Sequence, residues 1–293
     1  MSLTYNMENF FLNINKPSDW TSFDVVKKVR GAVGIKKVGH LGTLDPFATG
    51  VLPLAFNKAT RLIQYLQEDE KEYIATVELG KVSTTGDTEG EIADVKPAAK
   101  LALSAVEVAL RAFIGEIMQI PPKYSAIKVE GKRAYDLIRA GKEFELKARP
   151  VFVKSIDIIT YDWPILKLRV VCGKGFYVRS LASDLGEALE VGGYLTALER
   201  TRVGCFNMDN WVQMEAIEKG SWAVGKIGLL EAWGVRPKYY LETGEWEQLK
   251  LGQFISPLIA VDGVTAGVLN DEMVCLLEPV LRLPGKMKMA VIM

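Results

Sequence analysis

Three observations predict an α+β fold with a mixed, mainly antiparallel central sheet flanked by helices. Residues 72–80, EYIATVELG, alternate Tyr73, Ala75, Val77 and Leu79 against Ile74, Thr76 and Glu78, the period of a half-buried strand. Residues 151–159 and 165–172 are strand-like runs joined through Tyr161-Asp162-Trp163-Pro164, a connection suited to a hairpin and too short for a crossover helix. Along the chain, strands follow one another as hairpins more than they alternate with helices.

Taken in order, residues 10–16, FFLNINK, read as a short strand. TSFDVVKKVRGAVG reads as a helix, with Thr21 and Asp24 as a capping box and Phe23, Val26, Val29 and Val33 as one apolar face. GHLGTLDPFATGVLPL, residues 39–54, reads as a loop because of its Gly and Pro content. STTGDTEGE, residues 83–91, is a polar loop. LSAVEVALRAFIG is a helix with Ser104 and Glu107 as capping box and Gly115 as its stop. FYVRSLASDLGEALEVGG, from Phe176, is the end of a strand running into a helix. Beyond residue 235 the texture changes to short strand-like runs cut by Gly, Pro and Asp, among them GEWEQLKLGQFI. The expected organisation is a large domain over 1–235 and a small β-rich domain over 236–293.

Composition narrows the function classes. Lys plus Arg number 36 and Asp plus Glu number 36, so overall charge announces no nucleic-acid partner, although a local basic face remains open. Cys172, Cys205 and Cys275 are widely spaced and His40 is the single histidine, which argues against structural zinc and a disulfide framework and for a reducing compartment. No apolar run reaches membrane-spanning length and no targeting signal opens the chain. A cytoplasmic protein is expected.

Four segments carry candidate chemistry. Asp45 precedes Pro46, which fixes its own φ and restricts the residue before it, so the loop can aim a carboxylate in one direction. Such an aspartate is either a turn residue bonded to local amides or a nucleophile kept ionised by a nearby cation. His40, without a second histidine, is a satisfied local residue or a planar ring able to fill a gap in a base stack. From Lys123 to Arg149 there are eight Lys or Arg against four Asp or Glu, including Lys132 and Arg133, a solvated face or a phosphate-tracking surface. In GKGFYVRSLASDLG, Tyr177 and Arg179 share a face if the segment is extended, which would make Arg179 a counter-ion for Asp45.

Together these segments resemble the TruB-type bacterial tRNA pseudouridine synthases over most of residues 10–205. The resemblance rests on Lys16-Pro17 with Thr21-Ser22, on GHLGTLDPFATGVLP, on KEY with its strand and on the DTEG loop. PPKYSAIKVEGKRAY, ARPV, GFYVRSLASDLG and LERTRVG follow in register. Leu41 stands where the family commonly has threonine, and residues 18–20 lack a frequent glycine. The resemblance implies the pseudouridine synthase fold with a short C-terminal PUA-like RNA-binding domain. It implies isomerisation of the T-loop uridine of tRNA, position 55, after base flipping. Asp45 matches the catalytic aspartate, Arg179 its salt-bridge partner and Tyr73 the tyrosine against the target base. Tyr177 and Leu198 match pocket walls, and His40 the histidine that takes the vacated space. Lys16, Lys132, Arg133 and Arg149 are the expected contacts to the T-arm stem-loop. The reaction adds no atoms and exchanges no electrons, so no metal or other cofactor is expected, and a monomer without membrane or obligate protein partner is the family expectation. The rival readings are a tRNA-folding factor of the same fold and a two-carboxylate glycoside hydrolase.

Overall fold

Among the described residues, one mixed sheet of eleven strands organises the molecule, and a separate four-stranded sheet follows it in the chain. The computed structural model describes residues 9–95, 100–125, 127–129, 131–139, 144–257 and 263–293. The main strands of the large sheet are β1 (Phe11–Lys16), β2 (Val38–His40), β3 (Thr49–Phe56), β4 (Lys71–Leu79), β5 (Gly115–Gln119), β6 (Arg149–Asp162), β7 (Ile165–Cys172) and β8 (Gly193–Val203). From Trp211–Val212 at one edge the order is β1-β3-β8-β4-β7-β6-β5. The pairs β1 with Trp211–Val212 and β3 with β8 are parallel; the other pairings are antiparallel. The α+β, mainly antiparallel expectation therefore holds.

The long alternating strand is β4, where Tyr73, Ala75, Val77 and Leu79 point inward. Helix α1 (Ser22–Val33) begins on the Thr21–Asp24 capping box and ends at Gly34 in the left-handed region. Its buried face is Val25, Val26, Val29 and Val33; Phe23, expected on that face, is 67% exposed. Helix α2 (Leu103–Arg111) starts after Ala102 without a side-chain cap, so Ser104 lies inside it and the expected capping box does not form. Helix α3 (Val178–Ala188) covers β8 and β4.

Two expectations fail for tertiary reasons. The glycine- and proline-rich stretch 39–54 is not all loop. Thr49–Phe56 forms β3 because β1 pairs with it across six residues, Asn13 facing Pro53 among them. Thr243–Lys250, read as strand-like, is the short helix α4, started by a Glu242–Glu245 capping box. The second sheet has the order β9 (Lys238–Tyr240), β10 (Thr265–Leu269), β11 (Glu272–Pro279), β12 (Met287–Ile292). Among the described residues no helix is long and apolar enough to cross a membrane.

Candidate active site

The segment between β2 and β3 is tied down from three directions. From the end of β1, the Lys16 ammonium donates to the carbonyls of Pro17 (2.8 Å), Trp20 (2.6 Å) and Pro46 (2.9 Å). From the start of α1, Ser22 Oγ accepts from the Leu44 amide at 2.9 Å and donates to the Leu44 carbonyl at 3.0 Å. From β8, the Arg200 guanidinium donates to Val51 (2.8 Å), Thr43 (3.4 Å) and Gly42 (3.0 Å) carbonyls. Gly50, at φ +99°, lets β3 pass β8 closely: a Cβ there would lie 2.3 Å from the Arg200 carbonyl oxygen. Proline stiffens this loop, but the long-range ties orient it.

Asp45 sits at the apex of that segment. Arg179 Nε lies 2.9 Å from Asp45 Oδ2, and Arg179 Nη2 donates to Oδ1 at 3.1 Å, a two-point grip on one carboxylate. The guanidinium itself is braced by the carbonyls of Thr85 (3.3 Å) and Tyr124 (2.9 Å) and by Asp87 Oδ2 at 3.2 Å. Arg179 is buried, while a third of the Asp45 side chain, 33%, stays exposed. Loss of most of its water raises the Asp45 pKa above the usual carboxylate value; Arg179 pulls it back and Asp87 pushes it further up. The expectation that a nearby cation keeps this pKa low is thus corrected, since desolvation outweighs the guanidinium.

The grip does not arise from an extended Tyr177–Arg179 segment. Tyr177 is the N-cap of α3 and Arg179 lies in its first turn. Gln119 fixes this junction by accepting from the Tyr177 amide at 2.8 Å and donating to its carbonyl at 3.1 Å. Arg149 lies over the Tyr177 ring, 5.5 Å from its centroid, and donates to the Gly175 carbonyl at 3.3 Å.

A cleft of about 300 Å³ opens in front of Asp45. Tyr73, Tyr177, Leu198 and Arg179 line it, with Ser125, Lys71 and Arg200. Burial pushes the Tyr73 phenol up to about 12, so it is neutral at physiological pH. His40 is beside the cleft and not among its lining residues; its Nδ1 accepts from the Gly42 amide at 3.2 Å. Burial, and then the Arg200 charge, lower the His40 pKa, which keeps the ring neutral. Lys16 is fully buried and spends its ammonium on backbone carbonyls, so it shapes the loop rather than presenting a free cation to a phosphate. The backbone of Lys132–Arg133 pairs with Lys128–Val129 in a small ribbon; the side chains of Lys132 and Arg133 lie outside the described part of the structure. A more open depression of about 730 Å³ along α1 carries the Lys28–Glu218 ion pair at 2.9 Å. Among the described residues no group of three or more His, Cys, Asp or Glu side chains could hold a metal ion.

Residues 30–178 match the family model of the TruB family pseudouridylate synthase N-terminal domain, and residues 179–232 match that of the tRNA pseudouridylate synthase B C-terminal domain. The chain belongs to the TruB family of pseudouridylate synthases. It is similar to the tRNA pseudouridine synthase B of Trichormus variabilis, at 50% identity over 211 residues, 71% of this chain and 72% of that one. The tRNA pseudouridine synthase B of Parabacteroides distasonis is 46% identical over 213 residues, 71% of this chain and 91% of that one. The solved archaeal box H/ACA sRNP Nop10-Cbf5 complex has the same fold, with a TM-score of 0.75 at 21% identity over 100% of this chain and 88% of that one. As a TruB-family member the protein is a pseudouridine synthase, an isomerase.

Three buried charged groups have no role assigned from the sequence: Lys71 and Arg200, which line this cleft of a TruB-family chain, and Asp87 behind Arg179. Two were detectable by parity. Lys71 precedes Tyr73 by two on the inward face of β4, and Arg200 follows Leu198 by two on β8, so each is a cation where an apolar side chain is expected. Asp87 has no comparable signal, because its loop is polar throughout.

Proposed function

We propose that the protein converts the T-loop uridine of tRNA, position 55, to pseudouridine, with Asp45 as the nucleophile. The observation that carries this reading is the Asp45 carboxylate, held at two points by Arg179 and still reachable from a cleft walled by Tyr73, Tyr177 and Leu198. The reaction breaks N1–C1′, turns the base and forms C5–C1′. It needs a group that holds one fragment during the turn, and a fixed, partly exposed carboxylate suits that task. The base must first leave its stack, at a cost of a few kcal/mol. The neutral His40 ring beside the cleft mouth suits the vacated space, and Arg149, stacked on Tyr177, suits the flanking backbone. Tyr73, a neutral phenol, packs on the target base and assists removal of the C5 proton through its hydroxyl or a water. Lys132 and Arg133 belong to the phosphate-contacting ribbon, and the four-stranded sheet after residue 236 is read as the PUA-like RNA-binding unit. The choice of tRNA follows the naming of the relatives, and the T-loop position follows the motif resemblance.

A glycoside hydrolase needs a second carboxylate free to act on substrate. Asp87 is a poor candidate, being 1% exposed and turned toward Arg179. The direct test is incubation with unmodified T-arm stem-loop RNA and mapping of pseudouridine. Asp45→Asn is expected to abolish conversion while RNA binding survives, because the carboxylate is needed for bond making and not for docking. Release of free uracil, or substantial turnover by Asp45→Asn, would defeat the assignment.

A further inference from the structure

The cleft has a second charged region that the Asp45–Arg179 pair does not use. Its lining residues include four cations, Lys71, Lys174, Arg179 and Arg200, against one acid, Asp45. Arg179 is matched by Asp45, and Lys174 is ion-paired with Glu68. Lys71 and Arg200 form no ion pair with a described carboxylate within 4.0 Å. Lys71 donates to the carbonyls of Gln67 (2.8 Å) and Asp69 (2.9 Å), which leaves one N–H of its ammonium uncommitted. The acids around it are engaged elsewhere. Asp69 pairs with Arg236, Glu68 with Lys174, Glu70 with Lys154 at 2.9 Å, and Glu72 accepts from Thr201 at 2.9 Å. Two cations that are 8% and 1% exposed, with only neutral acceptors among the described residues, are costly to bury and favour an anionic visitor.

We infer that Lys71 and Arg200 form a cationic pole that stabilises the negative charge the pyrimidine carries while it is detached from the ribose. The inference rests on the cleft being the seat of the extruded uridine. When N1–C1′ breaks, its electron pair stays with the pyrimidine, spread over N1, O2 and O4 if Asp45 has bonded to C1′, and over N1 and O2 if it has bonded to C6, whose saturation interrupts conjugation to O4. That charge leaves the pyrimidine when C5 bonds to C1′ and the bond to Asp45 breaks, which returns the electron pair to the carboxylate; the C5 proton is lost and N1 takes up a proton. Donors aimed at a charge that exists only part-way through a reaction lower the barrier without tightening ground-state binding. A phosphate is the competing occupant, but it stays on the RNA backbone at the mouth, whereas Lys71 and Arg200 stand on the inward faces of β4 and β8 beside Tyr73 and Leu198.

The pH dependence follows. Burial, reinforced by Arg200, lowers the Lys71 pKa to about 8, opposed by Cys172, Asp69 and Glu68. Cys172 faces Lys71 from β7 and is itself pushed up to about 12 by burial, so its thiol stays neutral. The ammonium is required in its charged form, so the rate falls as pH rises through about 8. Lys16, also lowered to about 8, would give a similar limb, and a variant separates the two. The experiment is single-turnover conversion at saturating RNA across pH, with unmodified T-arm stem-loop RNA as the first substrate. The wild-type chain is expected to show the alkaline limb, and Lys71→Arg to carry it to higher pH. Lys71→Gln is expected to lower the saturated rate about 100-fold with affinity and its salt dependence unchanged. A wild-type profile flat through this range, or a limb unmoved in Lys71→Arg, overturns the inference. So does weakened, less salt-sensitive binding with an unchanged saturated rate, the signature of a phosphate contact. No conversion of the stem-loop by the wild-type chain refutes the T-loop reading instead. The profiles are then taken on whichever unmodified RNA transcript the chain does convert.

Discussion

Arg179 serves two carboxylates at once, and only Asp45 is open to solvent. Asp87 is 1% exposed and held by its own loop, accepting from the Glu89 amide at 3.0 Å and from Thr85 Oγ1. Its charge raises the Asp45 pKa, while its contact with Nη1 at 3.2 Å braces the guanidinium that lowers it. A nucleophilic Asp45 must be ionised, so activity is lost as pH falls through its raised pKa, and the acid limb stands above that of an ordinary aspartate. Asp87→Asn removes the repelling charge, and the limb is expected to shift to lower pH. The plateau rate should fall about tenfold, a loss of ~1.4 kcal/mol, because Arg179 is less firmly aimed. A pH–rate profile at saturating RNA checks both. An unmoved limb would mean that a group other than Asp45 titrates there.

At the scale of elements, what the sequence made legible was local and what it hid was long-range. The Thr21–Asp24 capping box and the β4 alternation need only neighbouring residues and are present as read. The pairing partner of β3 lies in β1 and α4 is a single short helix, so composition misled at both. Asp45 and Arg179, 134 residues apart, were paired on an extended Tyr177–Arg179 segment, which is the start of α3 instead, and on motif resemblance, which does not depend on that geometry. What aims Arg179 is the seating of α3, and that depends on Gly186. A Cβ at Gly186 would lie 2.1 Å from the backbone of Gly192 and Gly193, where no flexible side chain can yield. Gly186→Ala gains about 1 kcal/mol of helix propensity but must push α3 off the start of β8. The expected net is destabilisation by about 1–3 kcal/mol, read by chemical denaturation, with a lowered saturated rate as Arg179 moves with its helix. An unaltered midpoint and rate would show that the Arg179 grip does not depend on this contact.

At the scale of the whole molecule, the four-stranded sheet shares a hydrophobic core with the large one. Ala266, Val268, Met273 and Leu276 pack in one cluster with Phe11, Leu41, Val51, Val203 and Trp233. Polar ties cross the same boundary, Arg236 with Asp69 and Lys58 with the Met293 carbonyl at 2.8 Å. Leu41, beside the Asp45 loop, belongs to this cluster and also lines the cleft, so packing behind the second sheet reaches the candidate active site. Leu276 is fully buried in the seam, and Leu276→Ala removes three heavy atoms from it. The expected cost is about 2–5 kcal/mol. Because the cluster is continuous, calorimetry of the wild-type chain should show one cooperative transition, and in Leu276→Ala that whole transition should move down. Two transitions, of which only one responds, would show that the sheets unfold independently and that the seam transmits nothing to Leu41.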